Sequence, residues 1–229
     1  MTTSGTYTFN PTNSEIVLDA YDRLQIRGPE ITAPQIVSAR RSLNYILVRM
    51  ANLGINLWAV DLQSVALVQG TATYSVDPST VTVLDVYRRI VSGGTPQDII
   101  LSSLSRTDYA SIPNKTTQAS PTSYWFDRIL APTITLYPTP DQNSTYTLYY
   151  YRMRQLQDSN PQNAQTADIP YRFQEMLASA LAAHLAMKWK PDMAAPLQAY
   201  ADKIWSEAAL EDRERVPLYL QPNMDGYYQ

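Results

Sequence analysis

His184 is the only histidine in a chain of 229 residues that contains no cysteine. A Ser-His-Asp triad could draw on no other imidazole. A zinc site of ordinary ligand type needs more His or Cys than the chain has, and disulfides and thiolate nucleophiles are excluded. His184 stands four residues before Lys188 in an Ala/Leu-rich run, with no carboxylate one helical turn away. It reads as a packed or interface histidine rather than a base.

The carboxylates offer little more. Asp127 and Asp141 flank aromatic strand candidates and match a glycosidase pair in type, although turn and strand-edge roles are commoner for such residues. "EDRER" at residues 211–215 mixes charges at a helix end and suits a solvated or inter-subunit face. "VSGGTP" at residues 91–96 is a hairpin turn, too short for a phosphate loop. No catalytic residue, metal ligand or cofactor is expected. Arg40, Arg41 and Arg49 share a helical segment, and Arg88 and Arg89 end a strand candidate. A net charge of −3 makes a solvated or interface role fit them better than a grip on phosphates. That charge still permits a protein that lets DNA pass without holding it.

The aromatic residues carry more information. Tyr numbers 17 against Phe 3, and Pro 16 against Gly 7. Tyrosine joins a broad apolar ring to a polar tip, which suits a surface buried on assembly. A Tyr-rich sheet with ring edges in water fits the same count. The rings concentrate in "YWFDRILAPTITLYPTPDQNSTYTLYYYRM", residues 124–153. Strand alternation puts Tyr146, Leu148, Tyr150 and Arg152 on one face of the last strand, with Thr147, Tyr149, Tyr151 and Met153 on the other. The tyrosine triplet therefore cannot form one flat platform. Rings on both faces predict a strand covered on two sides. Tyr124, Trp125, Tyr149 and Tyr151 are candidate subunit-interface aromatics, and the same rings are the stacking platform of an alternative reading, a carbohydrate-binding module.

The elements that position these residues change period along the chain. Thr12 and Glu15 form a capping box before Ile16, Val17, Ala20, Tyr21 and Leu24 at helical spacing. Thr32 and Gln35 open a second helix with Ile36, Leu43, Leu47 and Met50 as its apolar stripe, and Gly54 closes it. From Leu57 to Ser102 the text is β-branched, apolar and punctuated by turn residues. Ser103 to Ala110 allows a short helical turn, and three aromatic strands follow. Asp168 is placed to cap a helix that carries Phe173, Leu177, Leu181 and Leu185 on one face, and Lys190-Pro191 ends it. A last helix runs from about Met193 to Arg213, with Leu197, Tyr200, Ile204 and Ala208 at helical spacing. The tail "VPLYLQPNMDGYYQ" has no helical period, yet it is rich in rings and prolines. An extended docking arm and a frayed terminus both fit it.

The expected fold is α+β: a helical bundle of residues 1–56 and 166–215, a β-rich antiparallel insertion at 57–155, and an extended arm at 216–229. No run of about 18 apolar residues exists to span a membrane. "MTTSGTYTFNPT" lacks the basic and apolar regions of a signal peptide, so synthesis in a reducing cytoplasm is expected.

Three stretches carry a resemblance: "SLNYILVRMANLGINLWAV" at 42–60, "SPTSYWFDRILAPTITLYPTPDQNSTYTLYYYRM" at 120–153, and "ADIPYRFQEMLASALAAHLAMKW" at 167–189. With the order of elements, they make residues 9–215 resemble the head-to-tail adaptor (connector) proteins of short-tailed bacteriophages. The resemblance implies a structural virion protein at the head–tail junction, made in the host cytoplasm. It implies a ring, usually a dodecamer, between the portal protein and the tail nozzle or tail tube. DNA would pass through the channel unbound. The arm residues Val216, Leu218, Tyr219, Leu220, Tyr227 and Tyr228 would then be the portal-binding set.

Overall fold

Thr12 begins the first helix by reciprocal capping. Its N–H donates to Glu15 Oε2 at 2.7 Å, and the Glu15 N–H donates to Thr12 Oγ1 at 3.3 Å. Helix α1 (Asn13–Arg23) then buries Ile16, Val17, Ala20 and Tyr21. Helix α2 (Ala33–Asn52) opens with Gln35 Oε1 accepting from the Thr32 N–H at 2.7 Å and buries Leu43, Ile46, Leu47 and Met50. The computed structural model describes residues 3–54, 56–92, 94–143, 145–160 and 164–212. The whole 216–229 arm, with Val216, Leu218, Tyr219, Leu220, Tyr227 and Tyr228, lies outside them.

Two four-stranded sheets follow. The first joins β1 (Val60–Ala66), β3 (Thr80–Ser92), β4 (Thr95–Ile100) and β8 (Tyr146–Arg154) in the order β1-β8-β3-β4, all antiparallel. The second joins β2 (Thr73–Ser75), β5 (Ser102–Ser103), β6 (Ser123–Asp127) and β7 (Thr133–Tyr137) in the order β2-β7-β6-β5. Its β5–β6 pair is parallel. Tyr74, Tyr124, Ile134 and Leu136 of the second sheet share one core with Val86, Tyr146, Leu148 and Tyr150 of the first. Side chains alternate along each strand, so each sheet turns one face inward to this core. Helix α3 (Arg106–Ser111) is capped by Ser105 and lies against β6.

Helices α4 (Gln174–Trp189) and α5 (Pro191–Glu211) complete the helical layer, and Pro191 takes the first-turn position where its missing N–H costs nothing. The expected one-faced amphipathic helix is not what forms at α4. Met176, Leu177, Ala178, Leu181, Ala182, Ala183, Leu185 and Ala186 are all buried. The cause is its central position, with α1, α2 and α5 all packed on it, and a helix enclosed on every side is apolar all round. Its alanines permit the close approach of α5.

Asp168 does not cap that helix. Both its oxygens accept from Arg154, and Oδ2 also takes the Gln157 N–H at 3.0 Å. The helix begins instead through a 3-10 turn at Tyr171–Phe173. A half-buried carboxylate gains more from a cation and a backbone donor than from one cap bond.

Candidate assembly surfaces

β8 divides its tyrosines as alternation requires. Tyr146 and Tyr150 lie in the core between the sheets, while Tyr149 is half-buried and Tyr151 exposed on the outer face. The expectation that both faces are covered holds only at the far end of the strand, where Met153 is buried. Along the middle of β8 no other element among the described residues closes over the outer face.

That outer face is an ordered aromatic strip. The register sets Leu62 beside Tyr151, Tyr149 beside Tyr87, and Tyr87 beside Ile100. The rings of Tyr87 and Tyr149 stack with centroids 5.2 Å apart and planes 6° from parallel. Arg89 lies 4.6 Å over the Tyr149 ring and grips Asp98 through two bonds of 2.6 and 2.7 Å. The Arg89 fork holds the Asp98 carboxyl below its usual range, so the pair stays charged while the guanidinium covers a ring. Leu62, Tyr151 and Ile100 remain exposed. Exposed apolar side chains in register across three strands are a surface suited to a partner.

The other aromatics have different fates. Tyr124 is buried in the core and its hydroxyl donates to the Leu84 carbonyl at 3.3 Å, so its ring meets this chain's own interior. Trp125 lies on the outer side of the second sheet, stacked on Tyr109 of α3 at 5.2 Å. Arg88, expected at a solvated or interface position, is instead buried. Its Nε donates to the Pro121 carbonyl at 2.9 Å and its guanidinium faces the Tyr146 ring. Arg40, Arg41 and Arg49 stay exposed on α2.

Two groups had no local signal in the sequence. Arg152 is buried at the inner edge of β8, where it donates to Asp61 at 2.7 Å and to Thr80 Oγ1 at 3.0 Å. Trp58, Phe173 and Trp205 cluster at the foot of the helical layer, with Arg172 over the first two rings. Arg172 also bonds Asp212, whose other oxygen accepts the Leu57 N–H. The chain is thus tied down at Asp212, just before the tail.

The groups that invited a catalytic reading are not brought together. His184 makes no hydrogen bond to any described residue, and burial, then Arg49 and Lys188, push its imidazole below the ordinary value. It lines a cavity of about 130 Å³ with Arg49, Gln198, Asp202 and Trp205. Asp127 pairs with Thr133 at the start of β7, whereas Asp141 follows the other end of that strand. Four strand steps span roughly 13 Å, beyond the spacing of a glycosidase pair. No cluster of metal-ligating side chains occurs among the described residues, and no helix there is long and apolar enough to cross a membrane.

The family model described as "SU10 adaptor protein" matches residues 14–222. The chain belongs to that family. It is a phage head–tail adaptor, a structural component of the virion that works with portal and tail components. None of the curated proteins compared with the adaptor matches it.

Proposed function

We propose that the adaptor joins the portal ring to the tail nozzle or tail tube as a ring of copies, twelve in number, that continues the DNA channel. The match across residues 14–222 carries this reading. The exposed strip of Leu62, Tyr151 and Ile100 supports it, because a ring subunit needs apolar surface that is covered only on assembly. Tyr149, Tyr151 and Trp125 contribute to contacts between subunits, and Tyr124 supports the sheet beneath them. Net charge of −3 suits a conduit that repels DNA weakly and releases it. The chain acts by assembly and performs no catalysis. The helical layer and the two-sheet region behave as separate units of one subunit, and residues 216–229 dock on the portal through Val216, Leu218, Tyr219, Leu220, Tyr227 and Tyr228.

Mixing the purified chain with its portal ring tests the reading. Native mass measurement is expected to give a portal complex heavier by a fixed whole number of adaptor copies. A portal mass unchanged at micromolar adaptor would contradict it. A chain truncated after Arg215 is expected to lose portal pull-down, and undiminished capture would remove the arm from the mechanism.

A further inference from the structure

The loop between β6 and β7 carries Arg128, Ile129, Leu130, Ala131 and Pro132, with no polar turn residue after Arg128. Leu130 is 100% exposed and Ile129 56%. Hairpin loops ordinarily carry Gly, Asn, Asp or Ser, so two large apolar side chains at a tip call for a receiving surface. Arg128 has no ion-pair partner among the described residues.

A matching recess lies in the helical layer. The seam between α1 and α4 holds a cavity of about 540 Å³, with Phe9, Ile16 and Ala178 as its apolar lining and Glu15, Asp19 and Glu175 on its rim. The extended segment before α1 forms one wall, fixed where Gln174 Nε2 donates to Asn10 Oδ1 at 2.8 Å. The one rim cation, Arg23, is already held by Asp19 and Ser179. Beyond the Asp19–Arg23 pair, Glu15, which accepts from Thr12, and Glu175, which accepts from the Tyr200 hydroxyl at 2.6 Å, leave the rim net negative around an apolar floor. The tip offers the complement, a guanidinium with no ion-pair partner among the described residues, followed by two apolar side chains.

Tip and recess adjoin different elements. Leu130 and Ile129 border a cleft with Val48 and Ala51 of α2, whereas the seam belongs to α1 and α4. A knob and a hole on separate patches suit a contact that repeats head to tail around a ring.

Resting on the ring reading above, we propose that the tip at residues 128–130 of one copy seats in the α1–α4 seam of the next, with Arg128 against Glu15, Asp19 and Glu175. The partner of both surfaces is a second copy of this chain.

The full chain has no native cysteine, so introduced thiols report one contact. Leu130→Cys and Phe9→Cys chains, mixed with portal and a short bis-maleimide, are expected to cross-link to each other, and the double variant to give a ladder. Each single variant alone gives no ladder. Reversals Arg128→Glu and Glu175→Arg should each weaken self-association roughly tenfold, and both on one chain should restore it. Ring assembly by native mass without chain-to-chain products overturns the tip–seam contact and leaves the ring intact. Shielding of the Phe9→Cys position by portal, again without those products, gives the seam to the portal and also overturns it. Failure of the unmodified chain to assemble at all removes the ring and this contact together.

Discussion

Helix α4 and strand β8 solve burial in opposite ways. At the centre of the helical layer, α4 is enclosed by α1, α2 and α5 and buries side chains around its full circumference. In the sheet region, β8 is equally central in its sheet, yet among the described residues its inner face is closed over Tyr146, Leu148 and Tyr150 while the middle of its outer face is open. Its outer face keeps Tyr149 and Tyr151 beside Tyr87 and Leu62. The middle of α4 turns nearly all of its apolar surface to the chain's own interior, whereas the outer face of β8 leaves part of its apolar surface exposed. Substitutions in the two should therefore separate folding from assembly.

The largest effect is expected at the middle of α4. Leu181→Ala empties a site with no solvent contact and should cost about 2–5 kcal/mol of stability, read as a shift of the urea midpoint. Assembly should fall with it in proportion to the folded fraction.

Next comes Arg152, which ties β8 to Asp61 and Thr80. Arg152→Ala should cost about 2–3 kcal/mol, at the low end for a buried pair because Asp61 is partly exposed to solvent. The pH dependence sharpens this. The Arg152 bond, against some opposing burial, holds the Asp61 carboxyl below its ordinary 3.8. A depressed carboxylate contributes stability that is fully present above the ordinary value and lost as pH falls through the lowered native one. Urea midpoints between pH 5 and pH 2 should thus fall less steeply in Arg152→Ala than in the unmodified chain.

The outer strip should behave differently. Tyr149→Ala removes a stacked pair and a cation–π contact, worth about 0.5–1.5 kcal/mol in the isolated chain. Tyr151→Ala should change stability by less than about 0.5 kcal/mol. Both should reduce portal-dependent assembly by far more than their stability cost predicts. Equal losses of stability and assembly at Tyr151 would dissolve the distinction between the regions.

The helices were readable because their signals are local. Thr12 with Glu15, and Thr32 with Gln35, declare a start within four residues, and the apolar period names the buried side. The division of the tyrosine triplet was readable for the same reason, since strand alternation needs no distant partner. What stayed hidden depends on residues far apart in sequence. Arg88 is buried because Pro121 offers a carbonyl 33 positions away, and Arg152 because Asp61 lies opposite on β1. Asp168 resembled a helix cap until β8 brought Arg154 to it. Tyr87 belongs to the strip only through its register with Tyr149, although alternation within β3 already puts it on the side of Arg89.

Tyrosine-resolved hydroxyl-radical footprinting, with and without the portal ring, tests most directly whether the outer sheet face is covered on assembly. Tyr151 and Tyr149 are expected to become protected when the portal is added, while Tyr21 and Tyr124, already inside their own cores, change little. Unchanged oxidation of Tyr149 and Tyr151 in a complex whose mass has risen would contradict the account.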